Sequence, residues 1–116
     1  MNALRLRLEA RAPALRCHRA YEIAVARDLF GVWIAEMTYG RIGTLGRTKS
    51  RSFTCIEDAV SAVDASLRRR ATLPRRLGAA YRLRSVAFKE VWKDAGLSER
   101  LAGFMDAATE NSRNLP

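Results

Sequence analysis

The spacing of apolar residues in this chain changes at Thr54, from a period of two to a period near 3.6. Upstream, Leu4, Leu6 and Leu8 alternate with Arg5, Arg7 and Glu9. After a break near Pro13, Tyr21, Ile23 and Val25 form a second alternating run that ends in Arg27-Asp28-Leu29-Phe30-Gly31, and Trp33, Ala35, Met37 and Tyr39 share one face of a third. Alternate side chains of a strand point to opposite sides of a sheet, so each run reads as a half-buried strand. A short basic strand, Arg47 to Phe53, follows. Downstream of the switch, Ile56, Ala59, Val60, Val63 and Leu67 make one apolar helical stripe to lay on that sheet. Thr54 and Glu57 have the T-x-x-E spacing of a capping box. Arg68, Arg69 and Arg70 fall in the last turn, where cations complement the helix dipole, and Pro74 stops the helix.

Beyond Gly78, Tyr81 and Leu83 alternate with Arg82 and Arg84, which predicts a last strand over Ala79 to Val86. Val86 to Ala95 and Ser98 to Thr109 then have helical spacing, with Ser98 as an N-cap. The order predicts an α+β fold: a mainly antiparallel β-sheet wrapped on one long α-helix, plus two short C-terminal helices. Residues 1–85 are expected to form the domain, and 86–116 a helical extension packed on it.

Composition narrows the class. A chain of 116 residues has the length of one domain, and 48% apolar residues can fill its core without disulfides or metals. Formal charge is +9, and all but three of the 21 basic residues are Arg, whose planar fork suits phosphate. Residues 1–53 hold 10 basic and 4 acidic side chains, 54–85 hold 7 and 3, and 86–116 hold 4 and 5. The positive field therefore belongs to the first 85 residues and points to a polyanionic partner. Two cysteines, Cys17 and Cys55, without a CxxC pair predict reduced thiols, a cytoplasmic location and no metal site. No window is apolar for long enough to span a membrane, and the strand-like alternation of the Arg-rich start argues against a transit peptide.

Motifs for catalysis are lacking. Gly40, Gly43 and Gly46 stand in G-R-I-G-T-L-G, a GxxGxxG spacing that is neither a P-loop nor a dinucleotide fingerprint. It suits a tight turn, a kinked strand and another turn. The one histidine, His18, has no acid placed to orient it. No cofactor is expected. What remains is a glycine-marked turn carrying Arg41, then Arg47, Lys49 and Arg51 at alternate positions, which in a strand project from one face as a ridge of phosphate donors. Such a strand can equally be a sheet edge guarded by charge, and the Arg68–Arg70 triplet reads as a solvated helix end or as a phosphate contact. Tyr39 can belong to the core or be exposed; beside Gly40, an exposed ring offers a flat face for stacking on a sugar or base.

At these residues the sequence resembles the WGR domain family. The family's hallmark Trp-Gly-Arg, hydrophobe, Gly, Thr and Gly is matched by Tyr39-Gly40-Arg41-Ile42-Gly43-Thr44-Leu45-Gly46. Tyr21-Glu22-Ile23, the Asp28-Leu29-Phe30-Gly31-Val32-Trp33 turn, Phe53, Glu57-Asp58-Ala59 and Tyr81 also fit, so the resemblance covers about residues 18–84. It implies an antiparallel sheet with one helix. In DNA-dependent poly(ADP-ribose) polymerases this domain binds near the 5′ end of a strand break, the Trp packing on the terminal sugar and the Arg joining DNA to the catalytic region. Carried over, Tyr39 is the stacking platform and Arg41 the bridging cation. Tyr replaces Trp here, Arg47 stands where bacterial relatives usually have Gln, and the basic-Gly-Tyr closing motif is loosened to Arg75-Arg76-Leu77-Gly78-Ala79-Ala80-Tyr81. The polymerases' catalytic domain is not in this sequence, so no enzyme activity follows.

The expectation is a noncatalytic DNA-binding module using Tyr39, Gly40, Arg41, Arg47, Lys49 and Arg51, with RNA as another possible ligand. The rival is a protein-interaction module, marked by an exposed apolar patch at Trp92 and Phe104.

Overall fold

The computed structural model describes residues 2–72, 80–89, 92, 97–102 and 104. Five strands, β1 (Asn2–Ala12), β2 (Cys17–Arg27), β3 (Trp33–Arg41), β4 (Arg47–Phe53) and β5 (Arg82–Phe88), form one sheet in the order β4-β3-β2-β1-β5. Every pairing is antiparallel. Among the described residues the helices are α1 (Ile56–Ala71) and a short α2 (Leu97–Ala102), and Trp92 is also helical. A single 3-10 turn, Pro13–Leu15, reverses the chain between β1 and β2, with Arg16 at φ 54 completing the reversal.

Strand register explains the core. Leu6 lies opposite Ile23, Ile23 opposite Met37, and Leu8–Tyr21–Tyr39 makes the next row. Leu4, Leu6, Leu8, Ile23, Val25 and Ala35 are fully buried on this face. The apolar stripe of α1 covers it, burying Ala59, Val63 and Leu67 against the sheet. At about 1.5–3 kcal/mol per large apolar side chain, these rows are the main source of stability. Ala20, Ala24 and Ala26 with Glu22, Glu36 and Thr38 occupy the opposite face.

That opposite face carries its own ion-pair network. Glu9, almost entirely buried, receives Arg7 Nε at 2.8 Å and Arg11 Nη2 at 3.0 Å, and lies 3.4 Å from Arg84 Nε. Arg7 also donates to Glu22 at 2.6 Å. The Arg7 hydrogen bond chiefly holds the Glu9 carboxyl below the usual carboxylate range, and its bonds to Glu9 and Glu22 raise Arg7 in turn.

Three local expectations are corrected. The N-cap of α1 is Cys55, whose backbone is extended and which makes no side-chain cap bond. Glu57 is therefore the second helical residue and not the third, so the Thr54–Glu57 box does not form. The helix itself ends at Ala71 with Thr72 as its C-cap, whose hydroxyl donates to Arg69 O at 2.7 Å, and Pro74, expected to stop it, lies outside the described residues. The last strand runs later than expected because β1 begins at Asn2 and supplies partners: Leu6 faces Val86 and Leu4 faces Phe88. Long-range pairing thus takes Val86–Phe88 away from the expected helix. Most of the rest of that helix, and the end of the second beyond Phe104, lie outside the described residues, and Ser98 sits within α2 rather than capping it.

Trp92, Leu101 and Phe104 belong to the core. Trp92 meets Trp33 edge to face with centroids 6.3 Å apart, Leu83 N donates to Phe104 O at 2.8 Å, and Arg100 pairs with Asp64 of α1 at 2.6 Å. The apolar patch that would have marked a partner surface at Trp92 and Phe104 is spent internally.

Candidate nucleic-acid interface

On the helix-covered face, the apolar rows of the sheet end in cations. Tyr39 lies opposite Arg47, Met37 opposite Lys49, and Ala35 opposite Arg51. The same side-chain parity that buries Ile23 and Met37 therefore aims Lys49 at the helix side, beyond the edge of α1. Arg47 through Ser52 are exposed. One row further, Arg19 faces Arg41 across β2 and β3, and both are exposed.

The last turn of α1 adds a second set. Ser66 is buried, with its Oγ 4.0 Å from Met37 Sδ, which fixes the phase of the helix over the sheet. Arg69 and Arg70, three and four residues on, share that inner side. Arg69 Nη2 donates to Ser66 Oγ at 3.2 Å, and the Arg70 guanidinium lies over the Tyr21 ring at 4.0 Å from its centroid. Arg68 turns away to Asp64, at 3.2 Å. The triplet is thus divided: one arginine is paired along the helix and two border the sheet.

Two cavities meet at this point. One, of about 650 Å³, lies between α1 and β4 and is lined by Tyr21, Met37, Tyr39, Lys49, Ser50, Arg51, Ser66, Arg69 and Arg70. The other, of about 590 Å³, is lined by Arg16, His18, Arg19, Tyr39, Gly40, Arg41, Arg70 and Tyr81. Tyr39 and Arg70 border both. Burial pushes the Tyr81 phenol up in pKa, against the opposing pull of Arg70 and Arg19.

The glycine segment is one hairpin loop, residues 42–46, with Gly40 still inside β3; the expected kinked strand between two turns is not formed. Its glycines serve contact and conformation. A Cβ on Gly40 would sit 2.7 Å from Gly46 Cα, and one on Gly46, at φ +68, would sit 2.6 Å from Tyr39 O. Thr44 closes the loop, donating to Arg41 O from its amide at 3.1 Å and its hydroxyl at 2.7 Å. This crossing of Gly40 and Gly46 seats the backbone of Tyr39 beside Arg47.

The structure therefore gathers Tyr39, Gly40 and Arg41 around one cavity and Tyr39, Lys49 and Arg51 around the other, while Arg47 lines neither. Arg16 and Arg19, which also line the second cavity, were not singled out in the sequence, while Arg69 and Arg70 were read there only as part of the undivided Arg68–Arg70 triplet. Electrostatically the two faces differ: Arg7, Arg11 and Arg84 pair with carboxylates, whereas among the described residues Arg41, Arg47, Lys49, Arg51, Arg69 and Arg70 have no acidic partner. Among these residues no helix is long and apolar enough to cross a membrane, and no group of three or more His, Cys, Asp or Glu comes together as metal ligands.

No curated protein matches the chain. The family model of the WGR domain matches residues 4–73, from β1 to the end of α1, and so more than half of the chain. On that match, over the strands and helix just described, the chain belongs to the WGR domain family.

Proposed function

We propose that this protein is a noncatalytic nucleic-acid-binding module acting in the cytoplasm, with DNA at nicks or ends as its ligand. WGR is a nucleic-acid-binding type of domain in poly(ADP-ribose) polymerase-like proteins. The observation that carries the reading is the run of cations without acidic partners on one side of the molecule. Arg41, Arg47, Lys49 and Arg51 contact successive phosphates. Tyr39, half-buried and fixed by the glycine crossing, stacks on a terminal sugar or an unpaired base. The test is fluorescence anisotropy with intact duplex, 5′-phosphorylated nicked duplex, single-stranded DNA and RNA, each at two salt concentrations. Tighter, salt-sensitive binding to the nicked duplex supports the reading, and tighter binding to RNA than to any DNA overturns its DNA assignment.

A second reading, a protein adaptor, is favoured by one observation. Leu29 is 100% and Phe30 90% exposed. Their turn is rigidly closed, since Asp28 Oδ1 accepts from the amides of Phe30 and Val32, both at 2.9 Å. Replacing both by Ser leaves nucleic-acid binding intact under the first reading and abolishes partner binding under the second.

A further inference from the structure

Resting on the nucleic-acid reading, we propose that the cleft between the last turn of α1 and the edge strand β4 takes a single unpaired strand, and that Arg69 and Arg70 form its second wall.

Three features of the cleft point to this ligand. First, its walls are cationic on both sides: Lys49 and Arg51 on β4, Arg69 and Arg70 on α1, with no carboxylate in the lining. The nearby Asp64 is already held by Arg68 and Arg100. Second, the half-buried ring of Tyr39 borders it, above the buried Tyr21 and Met37. A flat base stacks on that one ring while its phosphates reach the rims, which is how strands without pairing partners are gripped. Third, a volume of about 650 Å³ suits a nucleotide-sized group. A strand ridge alone would accept duplex and single strand alike. The helix wall is what makes the site selective.

Arg70 is the hinge of the arrangement. Its guanidinium is positioned by the Tyr21 ring face at 4.0 Å, and its buried Nε has no hydrogen-bond partner among the described residues. No carboxylate of the described residues neutralises it, so the charge is left for a ligand. It borders both cavities, which gives a strand a continuous path past Tyr39 toward Arg19 and Arg41.

The test compares three neighbouring variants of equal charge change, Arg68→Ala, Arg69→Ala and Arg70→Ala, by anisotropy on a short oligothymidine and on a blunt hairpin duplex. Circular dichroism checks folding; exposed Arg69 carries the test if loss of the Tyr21 contact unfolds Arg70→Ala. The expected result is a loss of about tenfold on oligothymidine for Arg69→Ala and Arg70→Ala, the size of one charged hydrogen bond. Arg68→Ala should lose under about threefold, and all three should change little on the hairpin. Equal losses for Arg68→Ala and Arg69→Ala, or equal losses on both probes, would overturn the cleft while leaving the broader reading intact. Wild-type protein that binds neither probe overturns both.

Discussion

Met37 and Lys49 face each other across the β3–β4 pair, and between them the apolar surface of the sheet gives way to charge. Met37 is 7% exposed beneath Ser66 of α1, whereas Lys49 is exposed at the open side of the same row. The helix packs against β3 and β4, yet the side chains of β4 from Arg47 to Ser52 stay exposed. One geometric parity thus supplies both the core and the exposed cationic row.

Tyr39 is predicted to carry the preference for ends. Replacing it by Ala should weaken binding to nicked or ended DNA by about 1–3 kcal/mol, the worth of one stacked aromatic. Closed circular DNA, which presents no terminus, should lose less. Equal losses on the two ligands remove the end-specific role.

Adding a methyl group at the hairpin crossing should destabilise the domain unequally. Gly46→Ala combines a left-handed φ of +68 with a backbone contact of 2.6 Å, and is expected to cost about 3 kcal/mol in urea unfolding. Gly43→Ala, at φ +89 but with open space around it, should cost about 1 kcal/mol. Similar costs at the two positions would mean that the close approach of Gly46 to Tyr39 is not what holds the loop.

Acid should weaken the network on the open face. The Glu9 carboxyl is held below its ordinary value of 4.5, so its contribution is fully present above that pH and is lost as pH falls through the lower folded value. Thermal stability is expected to decline below about pH 4.5, with Glu9→Gln showing a shallower decline. At neutral pH that variant should be less stable by about 2 kcal/mol, because Arg7 and Arg11 lose a charged acceptor. Identical acid profiles for the two proteins would contradict this.

Much of the sheet was legible in the sequence because alternation is a local signal. Leu4, Leu6 and Leu8 or Tyr21, Ile23 and Val25 reveal their buried face without reference to any other strand. The misread places are those where distant residues decide. Val86 and Phe88 are compatible with a helix until Leu6 and Leu4 pair with them. The N-cap moved from Thr54 to Cys55 because the extended backbone continues one residue further than the capping spacing suggests. At the site, the strand cations were visible as an alternating run, but Arg69 and Arg70 were not separable from Arg68 until Ser66 set the helix phase against Met37.

The most direct measurement is the salt dependence of binding to a nicked duplex, for wild type and for Lys49→Ala/Arg51→Ala. With about four to six phosphates neutralised, log K should fall with log salt at a slope of roughly −4 to −5, and the double variant should lose about 2 from that slope. Both side chains are exposed, so the variant should melt with wild type. A wild-type curve flat between low and moderate salt, or a slope unchanged by the double substitution, would contradict the account.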